Sequence, residues 1–369
     1  MSYQIDLRSF FLIVAAFQAL VFSFLLLARS IKRRSISDKL LALFLISLAA
    51  TLSEHIAGWM GWYKSQELTF FPFGNHFLFT PLAYLYVKAI TNSSFKLLRR
   101  DSLHFIPAAI YFAFHVAVWL MPVDHKLNFL SKLGSNNYYI FEGVCDILVL
   151  LTYTSLSILH YRAYLNWLPS EFSNTRPLEL VWLRNFLVIL FAVCLVELGF
   201  SLSSLVYSYW YDVRYWDYFI RAILLYYLSI AGYASTRPVE LAFANEIENQ
   251  VATNIAEPLP TQRLIDFMIR DKPYLDPELT LKQLAEKVEL PAPLVSQTIN
   301  AGLYKNFNDF VNEYRVEEIC ARLKRGDHKT KTLLGVGLDC GFNSKATFNR
   351  SFKKVTGLTP KEWLDDQNS

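Results

Sequence analysis

Residues 333–354 read LLGVGLDCGFNSKATFNRSFKK, and this stretch decides how the C-terminal third of the chain folds. The pattern predicts a helix, a tight turn and a second helix. Gly341 suits the left-handed residue at the end of the first helix, and Ser344 can cap the second. Phe348 and Phe352 are four residues apart, so they share one face of the second helix and anchor it to a core. The opposite face is polar and basic.

A similar pattern lies about fifty residues earlier. Leu281, Leu284 and Val288 recur at helical spacing, a turn ends at Pro291, and a second helix is predicted over 292–300. The chain therefore contains two helix-turn-helix patterns in tandem.

Three segments resemble the signature of the AraC/XylS-type DNA-binding domain: GFNS at 341–344, FNRSFKK at 348–354 and TGLTP at 356–360. NFNDFVNEYR at 306–315 resembles the start of the long connecting helix of that family. The resemblance extends roughly from Leu259 to Trp363. It implies a seven-helix module that places one recognition helix in each of two successive segments of the DNA major groove.

The resemblance also implies which side chains face DNA. These are Pro293, Ser296, Gln297, Lys345, Thr347, Asn349, Arg350 and Lys353. Arg350 is expected to read a base, and Lys353 is expected to contact a phosphate. The chain departs from the family pattern at Gly337, where alanine is usual, at the neighbouring Gly335, and at Trp363-Leu364, which replaces a Tyr-Arg pair.

Charge supports the same interpretation. Between Arg325 and Lys361 there are eight basic residues and two acidic residues, although the whole segment from Thr261 onward has a net charge of only +2. A local excess of positive charge is what neutralisation of DNA phosphates requires.

The first two thirds of the chain differ in composition. The chain as a whole is 53% hydrophobic and 16% aromatic, with a mean hydropathy of +0.24, and the excess lies before Ser235. Seven apolar stretches approach the ~20 residues that a membrane-spanning helix needs. The predicted spans are Phe10–Ala28, Leu40–Trp62, Phe73–Ile90, Leu103–Leu120, Tyr138–Tyr161, Leu180–Tyr207 and Tyr218–Ala234.

Loop charge predicts the orientation of these spans. The loops after the first, third and fifth spans contain ten basic residues, and the opposite side contains five. The richer side is cytoplasmic by the positive-inside rule. We therefore expect a multi-pass protein of the bacterial inner membrane, with its N-terminus outside and its C-terminal domain in the cytoplasm.

Several ionisable residues fall inside the predicted spans, where they are costly and therefore often functional. The deeper ones are Glu54, His55, His115, Glu142, Asp146 and Glu197. They form a candidate ligand-sensing pocket open to the periplasm; the alternative is that they pair with each other and hold the bundle together. His76 and Arg221 lie near span ends and are expected to reach water. No spacing typical of metal ligands occurs, so neither a metal nor another cofactor is expected.

The sequence thus predicts an all-α protein: a seven-span transmembrane bundle over 1–235, a linker helix over 236–260, and a two-unit helix-turn-helix domain over 261–369. Such a chain would be a membrane-bound, sequence-specific transcriptional regulator that couples a sensed signal to promoter binding. Its expected partners are double-stranded promoter DNA, the lipid bilayer and a small-molecule or membrane signal, with RNA polymerase and a second copy of the chain as further candidates. No catalytic motif appears, so an enzyme is not expected. The alternative function is a transporter or receptor-like membrane protein whose tail binds protein.

Overall fold

The computed structural model describes residues 7–60, 68, 70–133, 135–204, 211–235, 243 and 260–367. Regular structure in these residues is helical, apart from one isolated bridge between Phe172 and Thr280. The chain is therefore all-α, as the sequence predicts. It divides into two compact units, Met1–Arg162 with Leu180–Phe243 and Ala163–Glu179 with Ala244–Ser369.

The first unit contains the apolar helices of the N-terminal two thirds. They are α1 (Leu7–Arg33), α2 (Ile36–Trp59), α3 (His76–Thr91), α4 (Ile106–Trp119), α5 (Val123–Leu133), α6 (Ser135–Glu171), α7 (Val181–Ser204) and α8 (Tyr211–Ala234). Helix α1 packs against α2 and α8, and α2 packs against α3. The last part of α6, from Ala163 onward, belongs to the second unit.

Local sequence explains where these helices begin. Ser35 caps α2 by accepting a hydrogen bond from the Asp38 amide at 3.3 Å, and Asn75 caps α3 in the same way. Gly74 precedes that cap because a Cβ atom there would lie 2.7 Å from Cα of Thr51. The start of α3 can therefore approach the α2 backbone closely.

Five helical segments of the described residues are long and apolar enough to cross a membrane. They are Arg8–Arg33, Ile36–Gly58, Arg99–Trp119, Ile140–Glu171 and Val181–Leu202. The other two predicted spans correspond to helices, but α3 has only 16 residues and α8 contains Asp217 and Arg221. Helix α5 follows α4 and was not among the predicted elements.

From residue 260 to residue 367 the second unit contains seven α-helices, the number that the AraC/XylS resemblance implies. They are α9 (Thr261–Asp271), α10 (Leu281–Val288), α11 (Ala292–Gln297), α12 (Phe307–Lys324), α13 (Leu333–Asp339), α14 (Lys345–Thr356) and α15 (Pro360–Gln367). Two hydrophobic clusters fill this unit, one around α10 and α11 and one around α13 and α14. The long helix α12 contributes to both clusters, so it joins the two halves of the domain.

One prediction lies outside the described residues. The linker helix over 236–260 is described only at Phe243 and Pro260. The domain boundaries at 235 and 260 remain predictions.

Candidate nucleic-acid interface

The first helix-turn-helix is fixed by local hydrogen bonds. Thr280 and Gln283 form a reciprocal capping box at the start of α10, with N–H to oxygen distances of 3.2 and 2.9 Å. Glu289 adopts a left-handed conformation with φ 56° at the end of α10, and Pro291 precedes α11. These features produce the sharp turn that the sequence predicts.

The second helix-turn-helix depends on one glycine. Gly341 has φ +91°, and a Cβ atom there would lie 2.5 Å from the carbonyl oxygen of Tyr274 and 2.9 Å from Nε of Arg315. Both the conformation and the close approach therefore require glycine. Ser344 then caps α14 by accepting a hydrogen bond from the Thr347 amide at 3.2 Å.

Gly337, the departure from the family alanine, lies on the buried face of α13. A Cβ atom there would lie 3.1 to 3.3 Å from three ring atoms of Phe348. The missing methyl group lets this ring pack directly against the α13 backbone. The substitution is therefore accommodated by a closer contact between the two helices.

Arg315 organises the junction between the two helix-turn-helix units. Its side chain is 1% exposed and donates hydrogen bonds to the carbonyl oxygens of Tyr274 at 2.7 Å and Asp276 at 2.8 Å. Its guanidinium also lies over the ring of Phe342. Burial lowers the pKa of Arg315 to about 10, which still leaves it cationic at neutral pH.

A segment that follows α6 is bound to this junction. Ser173 is 1% exposed; its amide and its hydroxyl both donate to the carbonyl oxygen of Leu279, at 3.2 and 2.7 Å. The hydroxyl accepts from Nη2 of Arg315 at 3.2 Å. Asn308, at the start of α12, donates from Nδ2 to the carbonyl oxygens of Phe172 and Ser173 at 3.3 and 2.8 Å. No sequence motif marks these contacts, and sequence reasoning did not predict them.

The exposed face of α14 is basic. Lys345, Arg350 and Lys353 are exposed, and none of the three forms a hydrogen bond or ion pair with the residues that the structure describes. Lys354, one residue further, is instead paired with Asp309 of α12 at 2.7 Å. Three unpaired cationic side chains on one helix are a suitable surface for DNA phosphates and base edges.

Two further predicted contacts on α14 are placed differently. Asn349 is half-buried at the edge of the exposed face. Thr347 differs from the prediction: it is 6% exposed, its amide donates to the capping Ser344, and its hydroxyl is hydrogen-bonded to the same residue at 3.0 Å. Thr347 occupies the third helical position, whose amide usually donates to the N-cap side chain, and so it helps to fix the start of α14.

The predicted contacts on the first recognition helix are uncharged. Pro293 and Gln297 are exposed, and Ser296 is half-buried and accepts a hydrogen bond from Asn300 at 3.3 Å. Helix α11 has six residues and continues into a π-helical turn over Thr298–Gly302. The positive charge of the two recognition helices is therefore concentrated on α14.

Most of the candidate sensing residues of the first unit take part in polar contacts. Glu54 accepts a hydrogen bond from Tyr218 at 3.4 Å and lies 3.0 Å from Nε2 of His76, and the other ring nitrogen of His76 lies 3.3 Å from Nη1 of Arg221. Arg221 is 3% exposed and ion-paired with Glu197. The expectation that His76 and Arg221 reach water was wrong for Arg221. The opposite charges of Asp217 and Arg221 at i, i+4 spacing indicate an ion pair on one helix face, and this signal was overlooked.

The remaining candidates take part in separate contacts. His115 is hydrogen-bonded to the carbonyl oxygen of Tyr111 at 3.0 Å, and Tyr138 and Glu142 lie 3.3 and 4.0 Å from its Nε2. His55 is buried and stacks on Tyr218, with ring centroids 4.4 Å apart. Asp146 is half-buried and lies near enough to Arg221 for an electrostatic interaction. Among the described residues, no group of three or more His, Cys, Asp or Glu side chains could hold a metal ion.

Comparison with known proteins identifies the C-terminal module. Residues 284–366 match the family model described as a helix-turn-helix domain. This part of the chain is therefore similar to known helix-turn-helix domains.

Similar proteins include uncharacterised HTH-type transcriptional regulators of Staphylococcus aureus strains COL, MSSA476 and MRSA252. Each is 32% identical over 90 residues, which is 24% of this chain and 12% of the relative. The alignment therefore spans about an eighth of the length of these relatives. No solved structure is significantly similar to the chain.

Proposed function

We propose that this protein is a membrane-anchored, sequence-specific DNA-binding transcriptional regulator. The observation that carries the proposal is the tandem helix-turn-helix domain with an unpaired basic face on α14. The relatives from Staphylococcus aureus are named as HTH-type transcriptional regulators, which supports the same role for this module.

The membrane placement is supported by the surface of the first unit. Five described helical segments have the length and hydropathy of spans, and large apolar side chains face outward from them. Examples with more than 60% exposure are Phe17, Phe24, Ile110, Phe141 and Val188. Soluble proteins rarely expose continuous apolar surface of this kind, because each square ångström left in water costs about 25 cal/mol. A lipid bilayer removes that cost.

We assign a structural role to Glu197. It is 6% exposed and shares the buried Arg221 with Asp217, and removing one of the carboxylates that neutralise a buried cation is destabilising. The more accessible acidic groups, Glu54 and Glu142, are better placed to meet a ligand, with side-chain exposures of 40% and 22%. Glu197→Gln should therefore lower the amount of inserted protein, whereas Glu142→Gln should leave that amount unchanged and alter the transcriptional response.

The loop after α6 supports a route for signal coupling. Helix α6 begins at Ser135 and ends at Glu171. Ser173 is hydrogen-bonded to Leu279, two residues before α10, and Phe172 and Ser173 both accept hydrogen bonds from Asn308 at the start of α12. A displacement of the end of α6 would therefore act directly on the first helix-turn-helix. This route uses the contacts of Phe172 and Ser173.

Two substitutions on α14 test DNA recognition. Arg350→Ala should cost about 1–3 kcal/mol of affinity for the specific site if Arg350 binds a base bidentately. Lys353→Ala should weaken binding to all sequences alike and lower the salt slope by about 1. The measurement is a titration of the full-length protein with specific and random DNA at several salt concentrations.

If both variants lose affinity equally for specific and for random DNA, base recognition by Arg350 is excluded. Lack of any salt-dependent DNA affinity in the wild-type protein would refute the regulator proposal and favour a tail that binds protein.

A further inference from the structure

A cavity of about 500 Å³ lies within the first unit, where α1 ends and α2 begins. The end of α1 contributes Arg29, Arg33 and Arg34 to its lining, and Ser35 to Asp38 contribute the start of α2. The end of α3, the residues after it and Ser235 complete the lining. The cavity is therefore lined by three arginines together with apolar and uncharged polar groups.

One of the three arginines is already neutralised. Arg29 donates from Nε and Nη2 to the two carboxylate oxygens of Asp38, at 2.8 and 2.9 Å. Its Nη1 donates to the carbonyl oxygen of Tyr233 at 2.6 Å. Arg29 thus fixes α1 to the start of α2 and to α8, and it adds no net charge to the cavity.

The other two arginines are uncompensated. Arg33 and Arg34 form no hydrogen bond or ion pair with any described residue, although both line the cavity. Arg34 has φ 51°, a left-handed conformation that non-glycine residues rarely adopt. The turn that imposes it is held by two hydrogen bonds between Ser30 and Ser35, at 2.9 and 3.1 Å. The fold therefore holds two unpaired guanidinium groups beside a helix N-terminus.

We propose that this cavity binds a phosphate group. Guanidinium groups bind phosphate bidentately, and the positive end of the α2 dipole favours the same negative charge. The cavity, at about 500 Å³, is larger than a bare phosphate needs, so it has room for the glycerol portion of a phospholipid as well. Basic pockets between helices on the cytoplasmic side are typical sites for anionic lipid headgroups. Free phosphate shares this chemistry, so the two sources are separated by experiment.

The test compares two double variants of the full-length protein in neutral detergent. Arg33→Gln with Arg34→Gln removes the two cavity cations. Lys32→Gln with Lys39→Gln removes the same charge from neighbouring positions that are exposed, as Arg33 and Arg34 are, but do not line the cavity. Native mass spectrometry measures retention of phosphatidylglycerol against phosphatidylcholine. The shift in Tm with added inorganic phosphate, at an ionic strength matched with chloride, measures binding of the free anion.

We expect the cavity variant to lose phosphatidylglycerol affinity by at least about tenfold, because each arginine can make charge-assisted hydrogen bonds to the phosphate. The lysine variant should retain wild-type affinity within about twofold, because diffuse surface charge is not the cause. Stabilisation of the wild type by phosphate but not by chloride would identify the free anion as a ligand. Stabilisation by phosphatidylglycerol alone would identify the lipid.

Equal losses in the two double variants would overturn the proposal, since the effect would then be general surface electrostatics. So would a wild-type protein that shows neither a preference for phosphatidylglycerol nor stabilisation by phosphate. The measurements on the wild-type protein test the proposal even if a variant folds poorly. The proposal does not depend on DNA binding; only its lipid arm rests on the membrane placement proposed above.

Discussion

The hydrogen bonds between Ser173 and the helix-turn-helix junction predict a change in hydrogen exchange that can be measured at one backbone amide. Ser173→Ala removes a hydroxyl that donates to Leu279 at 2.7 Å and accepts from Arg315 at 3.2 Å. The amide of residue 173 keeps its own hydrogen bond to Leu279 at 3.2 Å, so the loop remains attached but more weakly. Loss of a buried hydroxyl that satisfies a charged donor costs about 1–2 kcal/mol here, because Arg315 retains its other acceptors.

The assay is hydrogen exchange of the full-length protein. A loss of 1–2 kcal/mol in local opening free energy corresponds to exchange about 5–30 times faster at the amide of residue 173. Ser170→Ala is the matched control, since the Ser170 hydroxyl donates only to Trp167 of its own helix at 2.7 Å. Exchange rates at residue 173 that are equal in the two variants would refute the reasoning, as would a wild-type amide that exchanges like an unstructured peptide.

The remaining predictions concern stability and topology. Gly341→Ala should destabilise the protein by about 2–5 kcal/mol through strain and overlap, whereas Gly357→Ala, at φ +80° with open space around it, should cost only about 1–2 kcal/mol in thermal or chemical denaturation. Burial tends to raise the pKa of Glu318, but hydrogen bonds from Lys272 and Arg322 outweigh it and hold the pKa below 4.5. Its contribution to stability is therefore present above pH 4.5 and lost as the pH falls through the lowered pKa, and this loss should be absent from pH-dependent unfolding of Glu318→Gln. A reporter active only in the cytoplasm should be active after Arg34, Arg100 and Arg176 and inactive after Lys64, Lys132 and Arg214, and the reverse pattern would place the C-terminal domain outside.

The helix-turn-helix domain was predictable because its signals are local. A left-handed glycine, a serine cap and apolar residues at helical spacing each determine structure within a few positions, as at Gly341, Ser344 and Phe348. The family resemblance, in contrast, misplaced Thr347. It implied a side chain that faces DNA, but the hydrogen bond to the cap keeps this side chain buried.

Contacts between distant segments were not predictable from one sequence. Ser173 and Arg315 are 142 residues apart, and nothing in either neighbourhood indicates the other. The pairing of Glu54 with His76, and of His76 with Arg221, likewise depends on how α2, α3 and α8 pack. Composition indicated that costly ionisable groups lay in the apolar helices, but only the packing shows which of them neutralise each other.

DNA crosslinked to the full-length protein, recovered from the membrane fraction of its host and sequenced, tests the central claim most directly. The account predicts discrete enriched sites that share a motif spanning two successive major-groove segments, and their loss in Arg350→Ala at unchanged protein level. Recovery of DNA no more enriched than random fragments, or absence of the protein from the membrane fraction, would contradict it.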